Sequence, residues 1–261
     1  MLPDPPPGAS SAISPSDTTT SLQQQLTQCR ADLLAVQQEQ AAFARGIAHD
    51  LRAPLRAIDS FSALLERNPS LDAGARTHLA RVRAASTRMG MLLDALLELS
   101  RVNRADFTPE TVDLGLLADW VGAELQEAQP ERDAVIDTAP GLSVFGDERL
   151  LKALLGHLLD NAWKFSAQRD RVRIRVSGER AGTRLQVSVC DEGCGFDMRY
   201  APKLFEPFQR LLGPEHGGGN GIGLAIAQRI VERHGGQLSA SSEPGVGSCF
   251  RFDLAAAEST A

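Results

Sequence analysis

The residue best suited to chemistry is His49, in the run F-A-R-G-I-A-H-D-L-R-A-P-L from Phe43 to Leu55. A neutral imidazole is a good nucleophile, and it changes charge near neutral pH. An acid follows at once, Asp50, and then Arg52, Pro54 and Arg56. A lone exposed histidine is ordinarily inert, so the weight falls on its surroundings. Far downstream stand two glycine-bearing runs, D-E-G-C-G-F (191–196) and G-N-G-I-G-L-A (219–225). The first follows an alternating, strand-like segment; the second opens a helical pattern, where backbone N–H groups and the helix dipole favour phosphate.

Those residues need scaffolds. Upstream of His49, Leu22, Leu26, Cys29, Leu33, Val36, Gln40, Phe43 and Ile47 recur in alternating steps of four and three. That is a heptad seam with polar flanks, expected to pair with a copy of itself as a modest coiled coil over residues 21–42. From Phe43 the steps become four (Phe43, Ile47, Leu51, Leu55), a stutter that unwinds the supercoil. His49 lies two residues from Ile47 and from Leu51, about 200° around the helix from each. It should therefore face solvent. Pro54 removes the hydrogen bond to the carbonyl of Asp50 and should bend the helix. A second periodic helix is expected from about Gly74 to Asn103, beyond the Asn68-Pro69-Ser70 break. A single hairpin buries too little, so residues 43–105 are read as half of a dimeric four-helix bundle.

Residues 106–256 change texture. Helices are expected at 114–128, from an Asp147 cap to Phe165, and at 221–234. Strands are expected at 134–138, 142–145, 171–176, 185–190, 237–241 and 248–254. The fold class is thus an all-α hairpin followed by an α/β two-layer sandwich. The ends, 1–20 and 257–261, are expected to be disordered; the first is rich in Pro, Ser and Thr.

Composition excludes several classes. At 261 residues and 43% hydrophobic content, the chain holds a real core and more than one folding unit. The net charge of −6 is mild and dispersed, so neither nucleic acid nor an anionic membrane surface is implied as a partner. Cys29, Cys190, Cys194 and Cys249 form no zinc-like cluster, and all four are expected to be reduced thiols in a cytoplasmic protein. No apolar run reaches the roughly 18–20 residues of a membrane span, and the N-terminus lacks the pattern of a signal peptide. Any membrane or sensory segment is expected outside this sequence or on a partner.

Five runs together resemble the transmitter module of sensor histidine kinases: A-H-D-L-R-A-P-L (48–55), L-L-D-N-A-W-K-F (158–165), D-E-G-C-G-F (191–196), L-F-E-P-F (204–208) and G-N-G-I-G-L-A (219–225). The resemblance covers residues 40–255 and implies an ATP-dependent protein-histidine kinase. His49 would be the phosphoacceptor and Asp50 the general base that holds the proton of the other ring nitrogen. Asn161 would bind Mg2+ through its amide oxygen, and Lys164 would face the phosphates one helical turn along. His157, where many relatives carry a second asparagine, is given a polar role nearby. Asp191 would accept the adenine amino group, with Gly193 and Gly195 allowing close approach of the backbone. Phe205 and Phe208 would be the packing feet of an ATP lid over 209–220. Gly219, Gly221, Gly223 and Leu224 would complete the phosphate side, and Ser248 would lie near the adenine. Trp163 is read as core.

The resemblance also implies a homodimer and transfer from His49 to an aspartate of a response regulator receiver domain. Relatives that strip phosphate from their partner carry Thr or Asn four residues after the histidine; this chain has Ala53. Weak regulator phosphatase activity is the expectation. The tryptophan in N-A-W-K-F and the wording H-D-L-R-A-P-L-R point toward the phytochrome-type branch. A different class, a non-catalytic dimeric scaffold switched by nucleotide, is disfavoured by the intact Asp50, Asn161, Asp191 and glycines.

Overall fold

A computed structural model describes residues 15–68, 70–104, 106–209 and 221–257. The heptad-spaced segment and the histidine segment form one helix, α1 (Pro15–Glu66), followed by α2 (Ala73–Arg104). Helix α1 starts earlier than the sequence suggested, so residues 15–20 are helical rather than disordered. Pro15 suits that start, because the missing N–H at a first helical position would have no partner anyway. At the other end Ala257 is buried rather than disordered, its N–H donating to the Ser143 carbonyl at 3.1 Å; residues 1–14 and 258–261, the rest of the segments expected to be disordered, lie outside the described residues. The helix also runs on through Pro54. Asp72 opens α2, its carboxylate accepting the Ala75 N–H at 2.7 Å.

Polar contacts tie the two helices. Arg83 reaches Asp59 (3.2 Å) and Glu66 (2.7 Å), Arg52 reaches Asp94 (2.6 Å), and the Ser86 hydroxyl donates to the Leu55 carbonyl (3.2 Å). The apolar contact is thin. Ala48, Leu93 and Leu97 form a small buried cluster with Leu55 against it. Leu51, Ile58, Phe61, Leu64, Leu65, Val82 and Met89 remain exposed.

The second half is built on a sheet. Strand β1 (Glu110–Asp113), α3 (Leu114–Ala128), β2 (Ala134–Thr138), β3 (Ser143–Gly146) and α4 (Glu148–Phe165) lead into the long hairpin β4 (Val172–Ala181) and β5 (Arg184–Asp191). A short 3-10 turn (Met198–Lys203), α5 (Gly223–Arg233), β6 (Leu238–Glu243) and β7 (Gly247–Ala255) complete it. The main sheet runs β2-β4-β5-β7-β6; β2 and β4 are parallel and the other pairs antiparallel. Strand β1, which the sequence reading passed over, pairs with β3 in a small second sheet.

Alternation decides the core. Val172, Ile174 and Val176 of β4, Val187 and Val189 of β5, and Phe250, Phe252 and Leu254 of β7 are buried. They share one cluster with Leu151, Leu154, Leu155, Leu158 and Leu159 of α4 and Ile226 and Ile230 of α5. Each such side chain contributes about 1.5–3 kcal/mol on burial. This is the expected two-layer α/β arrangement. Ala95 and Val102 of α2 are buried in the same cluster, and the Arg233 guanidinium donates to the Val102 carbonyl, so α2 serves both halves.

The expectation of four reduced thiols is overturned. Cys190 and Cys249 are joined by a disulfide, leaving Cys29 and Cys194 as free thiols. The reason is register: β5 and β7 pair with Cys190 directly opposite Cys249, although 59 residues separate them in sequence.

Candidate active site

On α1, Ala48 is fully buried against α2, which turns its neighbour His49 outward. The His49 side chain is 89% exposed, as its position off the seam required. Its Nδ1 lies 3.1 Å from Oδ1 of Asp50. Adjacent helical residues do not normally face each other; here both side chains stand in solvent and fold back onto one another. That contact fixes which ring nitrogen is occupied and leaves Nε2 open. Ala53, one turn on, is exposed. Arg52 is drawn away to Asp94 of α2.

Helix α4 presents the second group. Asp147 caps it, accepting from Leu150 N–H (3.2 Å), Thr108 N–H (3.1 Å) and Arg149 (3.2 Å). Burial pushes the Asp147 carboxyl up, but the bonds from Thr108, Arg149 and Leu150 outweigh it and hold the group at about 2. His157, Asn161 and Lys164 are all half-buried and recur at helical spacing along one side of α4. Lys164 pairs with Asp160. His157 Nε2 meets Oε1 of Glu98, on α2, at 2.9 Å, and this hydrogen bond holds the Glu98 carboxyl below its usual range. Trp163 is core, its indole N–H donating to Gln129 at 2.9 Å.

The third group sits at the ends of β5 and β7. Asp191 is buried, its Oδ1 accepting from Gly193 N–H (2.8 Å) and Ser248 N–H (3.3 Å). Burial nevertheless pushes its carboxyl up to about 6 against those two bonds. Such a group is poised to accept a donor from a ligand, which would supply the counter-interaction the fold withholds. Gly195 has φ +62°, and a Cβ there would stand 2.0 Å from the Glu243 carbonyl, so only glycine fits. Arg169 locks the loop by donating to the carbonyls of Glu192 (2.8 Å), Gly193 (3.0 Å) and Gly245 (2.5 Å). Ser242 joins it, accepting from Phe196 N–H at 2.8 Å and lying 3.1 Å from the Ser248 hydroxyl.

The phosphate side is partly described. Phe208 N–H donates to the Gly221 carbonyl at 2.8 Å, so the two ends of the 209–220 stretch meet. Phe205 packs against the core, but Phe208 is exposed, at φ +67°, and is not the second packing foot expected. The backbone must reverse there to meet Gly221, which turns its ring outward. Gly221 follows at φ +71°, and Gly223 begins α5, where a Cβ would stand 3.3 Å from His157 Nδ1. Leu224 is partly buried against the core. Gly219 lies outside the described residues.

Two clusters thus emerge, Asp191 with Gly193, Gly195 and Ser248, and His157 beside Gly223 on the α4 face that bears Asn161 and Lys164. His49, with Asp50 as its partner, stands apart from both. Glu98, Arg169 and Ser242 were not singled out from sequence, because each acts through contacts made only in the folded chain. The donors present bear on whether a magnesium ion fits. Among the described residues no three His, Cys, Asp or Glu side chains converge. Asn161 offers one hard oxygen, which fits an ion that arrives with phosphates and keeps waters, not one caged by protein.

Residues 39–105 match the His Kinase A (phospho-acceptor) domain, and residues 146–258 match the histidine kinase-, DNA gyrase B-, and HSP90-like ATPase. The chain is 31% identical over 242 residues to the sensor protein DivL of Caulobacter vibrioides, covering 90% of this chain and 31% of that protein. It is 30% identical over 237 residues to cyanobacterial phytochrome B of Nostoc, covering 88% of this chain and 31% of the relative. It therefore spans about a third of the length of each. The crystal structure of full-length ShkA in complex with AMPPNP aligns with a TM-score of 0.58 and 25% identity, over 83% of this chain and 46% of that one. The chain carries a His Kinase A phospho-acceptor domain followed by an ATPase domain of the histidine kinase, DNA gyrase B and HSP90-like family, the paired domains of a sensor histidine kinase transmitter.

Proposed function

We propose that this chain is an ATP-dependent protein-histidine kinase that phosphorylates its own His49 and passes the phosphoryl group to an aspartate of a response regulator receiver domain. One observation carries the reading. A solvent-facing histidine with a carboxylate on Nδ1 shares a chain with an ATPase fold in which Asp191 is buried with its carboxyl raised to about 6. Asp50 accepts the Nδ1 proton, so the Nε2 lone pair is the nucleophile toward the γ-phosphorus. Asp191 orients the adenine, and Asn161 with Mg2+, Lys164 and the glycines at the start of α5 hold the phosphates. A magnesium ion held by Asn161 would supply charge neutralisation to the phosphates.

Dimerisation through the hairpin completes the acceptor half. Phe61 at 66% exposed and Leu64 at 63% are costly surfaces for a monomer and natural ones for a four-helix bundle. The organisation proposed is a lead-in coil (21–42), a dimerisation and phosphotransfer domain (43–105) and an ATP-binding domain (106–256). No described helix is long and apolar enough to cross a membrane. The reading places the activity in the cytoplasm, with the signal arriving from another segment or partner. The test is incubation with γ-labelled ATP and magnesium beside His49→Gln. Acid-labile label in the wild type and none in the variant is expected; acid-stable label indifferent to His49 would contradict the reading.

A further inference from the structure

Two sulfurs lie one residue away from two groups of the adenine-side cluster. Cys190 precedes Asp191 on β5, and Cys249 follows Ser248 on β7. Successive side chains on a strand point to opposite faces. Asp191 and Ser248 accordingly are buried on the core side, while Cys190 and Cys249 are half-buried on the other side of the sheet. The pair is directly in register, with Cα atoms 4.0 Å apart. The ligand-side partners are thus coupled to a bond that solvent reaches from behind.

The surroundings suit exchange chemistry. On that outer face Arg175 of β4 stands directly across from Cys190, and Ser241 of β6 directly across from Cys249. Arg251, two residues after Cys249, shares the face and donates to the Ser241 hydroxyl at 2.7 Å. Arg175 and its partner Asp137 are 3.7 Å apart and largely exposed, so its charge is only loosely engaged. Two guanidinium groups beside the sulfurs favour an anionic leaving sulfur, the species released when the bond is attacked. Disulfides inside cells, where they occur, are mostly of the sensing kind rather than structural.

We propose that Cys190–Cys249 is a reversible redox switch on nucleotide affinity, exchanging with small thiols and disulfides of the glutathione class. This rests on the reading of Asp191 and its neighbours as the adenine site. In reduction, a small thiolate attacks one sulfur; the Cys190–Cys249 bond breaks, a mixed disulfide forms, and the other cysteine leaves as thiolate. A second small thiolate then attacks the mixed disulfide and departs as a small disulfide, freeing the first cysteine. Two protons complete the two thiols, and two electrons have passed from the small thiols to the protein. Oxidation by a small disulfide is the reverse.

The linkage to binding is geometric. The cross-link clamps the β5 and β7 ends that carry the Asp191 carboxylate and the Ser248 N–H. Without it, those ends rest on the backbone ladder, the Ser248–Asp191 bond and the Arg169 contacts, and more of the site's ordering falls to the ligand. The bonded form should therefore be the tighter binder.

The test uses the whole chain in a Cys29→Ser background, which removes an exposed thiol able to join two molecules. Samples equilibrated with oxidised glutathione or with excess reduced glutathione are alkylated, mapped by mass spectrometry, and titrated calorimetrically with Mg-ATP. In the oxidised sample Cys194 alone should be alkylated; in the reduced sample Cys190, Cys194 and Cys249 should all be. ATP should bind about three- to tenfold more tightly to the oxidised form, the range expected for preorganising one pocket edge. Cys190→Ser combined with Cys249→Ser should bind as the reduced form does in both buffers. Equal ATP affinity in both states, or an alkylation pattern that does not change, overturns the switch. Failure of both states to bind ATP, with the alkylation pattern as stated, overturns instead the adenine-site reading on which it rests.

Discussion

The helical hairpin and the nucleotide-binding half of this chain treat their apolar residues in opposite ways. The hairpin buries Ala48, Leu93 and Leu97 together and leaves Phe43, Phe61, Leu64 and Leu65 in solvent. The sheet half buries nearly every apolar residue on the inner face of β4, β5 and β7. The reactive groups follow the same division. His49 is held outward on an exposed helix, whereas Asp191 is buried at the end of β5, and burial raises its carboxyl to about 6. The acceptor must be delivered to other surfaces, and exposure serves that. The donor site must recognise one ligand, and burial serves that. On the proposed reading the hairpin's stability is deferred to a second copy, while the sheet half has its core within one chain.

If that contrast holds, damage to the sheet half should be the more severe. Gly195→Ala forces a Cβ onto the Glu243 carbonyl at a left-handed φ, a conflict worth about 3 kcal/mol or more. ATP affinity should drop by about 100-fold or more on that scale, as read by calorimetry. A near-wild-type affinity would show the loop to be softer than the geometry implies.

On the hairpin, Phe61→Asp with Leu64→Asp should leave the monomer folded but weaken its dimer. Each side chain stands to bury against the partner about 1.5–3 kcal/mol of apolar surface, so sedimentation should show a tenfold or larger rise in the dimer dissociation constant, about 1.4 kcal/mol per tenfold. ATP binding by the sheet half should be untouched. Loss of both together would erase the distinction between the halves.

Asp191→Asn separates function from stability. Between the unfolded value near 3.8 and the folded value of about 6, the unfolded chain has released its proton while the folded chain keeps it. Rising pH therefore favours unfolding through that window, and the cost is complete above about 6. Removing the charge should stabilise the fold at pH 7.5 by about 1–3 kcal/mol, with the gain disappearing below about pH 4. ATP affinity should fall nonetheless. Thermal unfolding at the two pH values decides it, and an equal gain at both would mean that burial of the charge is not the cause.

The smallest effect expected is at Ala53, one turn from His49. Ala53→Thr supplies a hydroxyl near the acceptor and should raise dephosphorylation of a phosphorylated receiver domain, by a factor of about ten for one positioned hydrogen bond. An unchanged rate would remove Ala53 as a ground for expecting weak phosphatase activity.

Much of this was legible from the chain. The helix at 114–128 and the strand at 134–138 have the bounds expected, because capping by Asp113 and short alternation are local signals. The outward direction of His49 followed from its distance to Ile47 and Leu51. Strand β1 escaped notice because its four residues pair with β3 across thirty intervening positions, roughly, with no pattern of their own. The disulfide and the Glu98–His157 contact depend on register and on packing of α2 beside α4, neither of which spacing along a chain encodes. Pro54 is accommodated inside α1, which continues past it, since one missing hydrogen bond does not outweigh the turns on either side.

On the proposed function, phosphate travels from a nucleotide seated at Asp191 to Nε2 of His49. Peptide mapping under alkaline conditions, after brief incubation with Mg-ATP, tests it most directly. Phosphate should be found on the peptide bearing His49 in the wild type, and should be absent from Asp191→Asn treated alongside. Phosphate on His78, His157, His234 or a serine, or undiminished phosphate on His49 in Asp191→Asn, would contradict it.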